Sequence, residues 1–101
     1  MTILHKENEI YKYSNPGRVE LNGLRILDSD FELRLSTHKD KKYMIKGDFT
    51  NDKWVHFGQW GMEDYTKHKD DERRERFRRR NSKWAISRPD TPSYLSYYLL
   101  W

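Results

Sequence analysis

From Asp71 to Arg80 the chain reads Asp-Glu-Arg-Arg-Glu-Arg-Phe-Arg-Arg-Arg, and every residue except Phe77 is charged. Such a segment cannot form a core, because each ion taken out of water needs a partner to offset its desolvation. It is nevertheless well suited to a helix. Asp70 is a good N-cap, Asp71 and Glu72 stand where the helix dipole favours acids, and Arg78, Arg79 and Arg80 stand where it favours bases. The pairs Asp70/Arg74, Glu72/Arg76 and Glu75/Arg79 have the i,i+4 spacing with the acid first, each contributing about 0.2–0.5 kcal/mol. A helix with a single apolar side chain is exposed on most sides or docked by a partner, so the core must come from elsewhere.

The remainder has to build that core from little material. At 101 residues the chain is expected to be one domain, residues 1–101, with a thin interior. Low apolar content and high charge point towards disorder, but four Trp, seven Tyr and four Phe oppose it, since each buried aromatic removes a large area from water. The expectation is an aromatic-rich core that needs a partner or an oligomer for full stability. Without cysteine, disulfides and thiolate metal sites are excluded. The N-terminus has no apolar signal core and no apolar run is long enough to span a bilayer, so the protein is expected to be soluble or carried by an assembly.

In chain order, Ile3 to Ser14 reads as a short edge strand and residues 1–22 as a loosely held N-terminal arm, with Asn15-Pro16-Gly17 as a turn. Leu24 to Leu27 is a short candidate strand. Phe31 to Ser36 alternates apolar and polar residues, which places Phe31, Leu33 and Leu35 on one buried face. Tyr43 to Lys46 and Lys53 to Phe57 read as the next strands, with loops short enough for antiparallel neighbours. After Gly58 an aromatic loop with Trp60 and Tyr65 leads to the charged helix. Thr91-Pro92 is an N-cap followed by proline at the first helical position, and the last helix runs towards Leu100 with Leu95, Tyr98 and Leu99 on one stripe. The predicted fold is α+β: an antiparallel sheet of three to four strands, then a charged helix and a short C-terminal aromatic helix. Phe57, Trp84 and Leu99 are expected in the core and Trp60 partly exposed.

The charge has a location. Thr66 to Trp84 holds nine Lys or Arg against four Asp or Glu, whereas residues 1–65 hold ten against eleven, so the net +4 belongs to the charged helix and its flanks. Arg73, Arg74, Arg76, Arg78, Arg79, Arg80 and Lys83 therefore form the strongest partner signal. Guanidinium groups suit phosphates, while interspersed acids and neighbouring aromatics suit a protein interface, in which Arg, Trp and Tyr are the usual anchors. The predicted partner-binding set is those seven residues with Trp60, Tyr65 and Trp101. The four histidines, His5, His38, His56 and His68, match no zinc spacing, and no metal or other cofactor is expected. His56 reads as an inward or hydrogen-bonding strand residue and His68 as ordering the loop before the helix. The pairs His56 with Asp64 and His68 with Glu72 are chance-level for so charged a chain, and no phosphate loop, dinucleotide fingerprint or nucleophile elbow is present. The chain is read as a non-enzyme.

His56-Phe57-Gly58, Tyr65, Lys67-His68-Lys69-Asp70, Arg73, Arg76-Phe77 and Arg80 occur in an order that resembles a family of small uncharacterised proteins of large DNA viruses and tailed bacteriophages. Ser36 to Tyr43, Trp84 and Leu99-Leu100-Trp101 extend the resemblance over roughly residues 36 to 101; Asn81 stands where that family usually has histidine. The resemblance implies a viral origin and a virion-associated protein. The expected function is a virion structural protein, a minor capsid, cement or tail component, that contacts other virion proteins such as the major capsid protein. Its expected location is the virion, and the host cell interior during assembly. The alternatives are a basic nucleic-acid-binding protein using the same arginines and a phosphodiester-acting enzyme centred on His56 and His68.

Overall fold

Alternation in the middle of the chain produces the sheet. In the computed structural model, which describes residues 3–101 with side chains from Lys6 onward, strands β1 (Phe31–Leu35), β2 (Lys41–Gly47) and β3 (Val55–Gln59) form an antiparallel sheet in the order β1-β2-β3. The register places Leu35 opposite Tyr43 and Tyr43 opposite Phe57, with Leu33, Ile45 and Val55 in the next row. Because side chains alternate along a strand, these rows share one face. Tyr43, Ile45 and Phe57 are buried there, while Leu33, Leu35 and Val55 are half-buried at its margin. The sheet has three strands.

Helices precede and follow it: α1 (Ile3–Glu9) with a 3-10 turn at Ile10–Lys12, α2 (Pro16–Ile26), α3 (Tyr65–His68), α4 (Asp71–Arg80) and α5 (Pro92–Leu95). The fold is α+β. The edge strand expected over Ile3 to Ser14 and the strand expected over Leu24 to Leu27 are both replaced by helix, and the reason is visible in α2. Asn15 is its N-cap, accepting the Arg18 backbone N–H at 3.2 Å, and Pro16 occupies the first turn. A helix needs no proline N–H there, so Asn-Pro-Gly starts a helix in place of the expected turn. Val19, Gly23 and Leu27 then recur every four residues along the buried side. Gly23 leaves room for the Phe31 ring; a Cβ in its place would stand 2.8 Å from Phe31 Cζ.

The N-terminal segment is part of the core and not a loose arm, since Ile10 and Val19 are fully buried; Met1 and Thr2 lie outside the described residues. A buried polar chain ties this segment to the sheet. Tyr43 donates to Ser14 Oγ at 2.6 Å, Ser14 meets Thr66 Oγ1 at 3.1 Å, and Thr66 donates its backbone N–H to Asp64 Oδ1 at 3.0 Å. Thr66 Oγ1 also bonds Asp64, whose other oxygen accepts from Lys42 Nζ at 2.9 Å.

At the C-terminus Thr91 caps α5, accepting the Tyr94 N–H, and the helix widens into one π-type turn at Ser96–Leu100. The wider turn brings Leu100, five residues after Leu95, into the core beside Leu95 and Leu99. Phe57 and Leu99 are core residues as expected, and Trp60 is partly exposed. Trp84 is not in the core. It lies half-buried in the 3-10 segment Ser82–Ile86, where Phe77 meets it edge-on at 5.8 Å. Among the described residues no helix is long and apolar enough to cross a membrane.

Candidate functional site

α4 starts where its sequence requires. Asp70 Oδ1 accepts the backbone N–H groups of Glu72 at 3.0 Å and Arg73 at 3.2 Å, and His68 Nδ1 accepts the Asp70 N–H at 2.9 Å. His68 thus orders the approach to the helix. Its proton then resides on Nε2, which is buried without a partner among the described residues. Burial, and next the Arg73 charge, hold the His68 pKa below its ordinary value, against the opposing pull of Glu63, Asp64 and Asp70.

With about 100° between successive residues, one helix divides its arginines into sets. Arg73, Arg76 and Arg80, with Phe77, line a cleft of about 400 Å³ whose other walls include Trp84, Leu100 and Trp101. Arg74 and Arg78 point to the opposite flank. There they line a second cleft, also about 400 Å³, with Tyr65 and Lys69 on one side and Arg18 and Arg25 of α2 on the other. Trp101 separates the two. Its ring stacks on Phe77 at 4.2 Å and 5°, and Arg74 Nε donates to its backbone oxygen at 2.7 Å.

The two clefts differ in character. The first has aromatic and aliphatic side chains, Glu63 and Lys42 in its lining, and Lys42 is paired with Asp64, both side chains being at most 2 % exposed. Burial pushes the Lys42 pKa down and Asp64 partly restores it. No carboxylate side chain lines the second. The expected pairs on α4 form at Glu75/Arg79, 2.8 Å, and loosely at Glu72/Arg76, 3.9 Å. Asp70 does not pair with Arg74: the aspartate is committed to capping, and the Arg74 guanidinium lies 4.6 Å from the Tyr65 ring. Arg73 and Arg80 have no ion pair among the described residues.

The partner-binding set read from the sequence is therefore distributed. Arg73, Arg76 and Arg80 face the first cleft, Arg74, Arg78 and Tyr65 the second, and Trp101 both. Arg79 and Lys83 are exposed and line neither. Trp60 is elsewhere, packed edge-on against Tyr13 at 5.3 Å and with Lys6 Nζ 5.2 Å from its ring centre. Arg18 and Arg25 are outside the set expected from the sequence, because the turn signals around them mask the helix that brings them to the cleft. The spacing 18, 22, 25 is the signal that would have found them.

His38 and His56 pack against each other at one edge of the sheet. His56 Nδ1 lies 2.6 Å from Ser36 Oγ and its ring stacks on His38 at 3.5 Å. That Ser–His distance would suit a nucleophile and its base, but Ser36 is fully buried and its Oγ already accepts the His38 N–H. Lys6 closes this corner by donating to the backbone oxygens of Ser36, His38 and Lys41. The chance-level pairs His56 with Asp64 and His68 with Glu72 are engaged elsewhere: Asp64 bonds Lys42 and Thr66, and His68 bonds Asp70. Among the described residues no group of three or more His, Asp or Glu side chains is placed to hold a metal; the His5 side chain lies outside them.

Residues 31–81, from the first strand to the end of the charged helix, match a family of unknown function, DUF5754. The chain belongs to this family. The matched region contains the sheet, α3 and α4, so all the helix arginines fall within it, while Arg18, Arg25 and Trp101 fall outside. No curated protein and no solved structure matches the chain.

Proposed function

We propose that this protein is a non-enzymatic virion structural protein, a minor capsid, cement or tail component, that docks on an acidic surface of a larger virion protein such as the major capsid protein. The observation that carries this reading is the first cleft. Arg73 and Arg80 are free of ion pairs among the described residues and stand beside the half-buried rings of Phe77, Trp84 and Trp101. Arginine next to a partly covered aromatic is the composition of an interface anchor, because the rings supply apolar area and the guanidinium supplies directed bonds to carboxylates. The viral assignment rests on the resemblance of His56-Phe57-Gly58 and the helix that follows to proteins of large DNA viruses and tailed bacteriophages. The protein would act in the virion after assembly inside the host cell.

Quantitative mass spectrometry of purified particles, before and after gentle release of the genome, tests the proposal. The expected result is retention with the empty shell at a fixed ratio to the major capsid protein, and loss of retention in the Arg73→Glu/Arg80→Glu variant. Absence from particles overturns the reading. Departure with the genome supports a second reading, nucleic-acid binding, which the excess of nine Lys or Arg over four Asp or Glu from Thr66 to Trp84 favours.

A further inference from the structure

The second cleft is more than the far side of the charged helix. Its positive side chains come from three places that are distant in sequence: Arg18 and Arg25 on α2, Lys69 after α3, and Arg74 and Arg78 on α4. Arg18, Asn22 and Arg25 share one face of α2, which is held against the C-terminal turn by the Asn22 Nδ2 bond to the Leu99 oxygen at 2.8 Å. Lys69 stands at the end of α3 with a left-handed backbone, φ 55°. Like charges brought together repel, and no carboxylate side chain lines the cleft to offset that cost; the Trp101 backbone oxygen engages Arg74 and leaves Arg18, Arg25, Lys69 and Arg78 without a counter-ion among the described residues.

Arg78 is the most exposed to this problem. Its Nε is shielded from solvent and has no acceptor among the described residues. Its guanidinium lies 5.0 Å from the Tyr97 ring, which stabilises a cation but supplies no hydrogen bond. Burial, and next the Arg74 charge, depress the Arg78 pKa from its ordinary value, against weaker pulls from Tyr97, Tyr98 and Tyr65. Cations without a counter-ion that line one concavity are the arrangement an incoming oxyanion would complete.

We propose that the cleft between α2 and α4 binds a small molecule carrying condensed phosphates, an inorganic triphosphate or the triphosphate of a nucleotide, through Arg18, Arg25, Lys69 and Arg78. The convergence of the charges selects this class. A duplex backbone is met by a stripe of cations along its length, whereas these surround one concavity of about 400 Å³, within the range of small-molecule sites. Several cations on one compact ligand require several negative charges close together, and guanidinium groups bond phosphate oxygens in pairs. The hydroxyls on the cleft walls are already donating, Tyr65 to Asp71 at 2.6 Å and Tyr98 to the Ala85 oxygen at 3.0 Å. Recognition therefore falls to the cations. The site uses residues other than the free arginines of the first cleft, so it stands or falls separately from docking in the virion.

The test is calorimetric titration of the full chain with sodium tripolyphosphate and, separately, with ATP, against sodium sulfate at matched ionic strength. One saturable site for tripolyphosphate is expected. Arg18→Ala/Arg25→Ala, at two exposed positions whose side chains have no partner among the described residues, should keep the circular dichroism of the parent and weaken binding by roughly tenfold or more. Arg73→Ala/Arg80→Ala, on the other flank, should leave affinity within about twofold. Equal affinity for tripolyphosphate and ATP assigns recognition to the phosphate chain, and tighter ATP binding adds the nucleoside; both support the proposal. Absence of saturable binding, equal binding of sulfate, or no effect of Arg18→Ala/Arg25→Ala overturns it.

Discussion

Gly58 has a backbone φ of 81°, where a side chain is strained, and a Cβ there would lie 2.9 Å from Leu100 Cδ1 and 3.3 Å from Lys42 Cβ. Both effects act together in Gly58→Ala, which should lose roughly 1–3 kcal/mol in urea unfolding, with the slope of the transition unchanged. Beside it, the Lys42–Asp64 pair is a liability only when broken. Asp64→Ala strands a buried ammonium and frees Thr66, and a loss of about 3–5 kcal/mol is expected in the same experiment. An unchanged midpoint would mean that water reaches Lys42. None of this was legible in the residues themselves. Lys42 lies in a run of lysines and Asp64 in an acidic loop, and charged residues are almost never buried unless paired, so only the pairing reveals them.

At the scale of elements, α4 was the most readable part of the chain, because capping and charge order are local properties. Asp70→Ala removes the acceptor for two backbone N–H groups and should cost about 1 kcal/mol by thermal unfolding. The attachment of α4 was not readable, since Phe77 finds Trp101 across more than twenty positions of sequence. A double-mutant cycle with Phe77→Leu and Trp101→Leu should give a coupling of about 0.5–1.5 kcal/mol; a coupling near zero would show that the two rings are held independently. α2 was lost for the opposite reason. Asn15-Pro16-Gly17 serves equally as a turn and as a capped helix start, and the choice is made by what Val19, Gly23 and Leu27 can pack against.

For the molecule as a whole, the Cα radius of gyration of 12.8 Å leaves no room for an extended arm in the described residues, as a compact chain of this length is expected near about 13 Å. Its stability should depend on pH through the histidines. Burial, with His38 and Lys6 adding to it, lowers the His56 pKa below its ordinary 6.5, and His68 is lowered as well. Protonation then favours the unfolded chain, so their contribution is complete above the unfolded value of 6.5 and is lost as pH falls through the lower folded values. Urea midpoints should therefore decline from pH 7 towards pH 5 by more in the parent than in His56→Gln, and equal declines would remove His56 as a cause. Local sequence was enough to specify the three strands of the sheet, the charged helix with its caps, and the α+β class, though not α2, because alternation, dipole complementarity and turn chemistry act over a few residues. Tertiary structure alone decided that one row of arginines would become two sets on either side of Trp101, and that α2 would contribute Arg18 and Arg25 to one of them. Those outcomes depend on which faces meet, and that is set by burial summed over the whole chain.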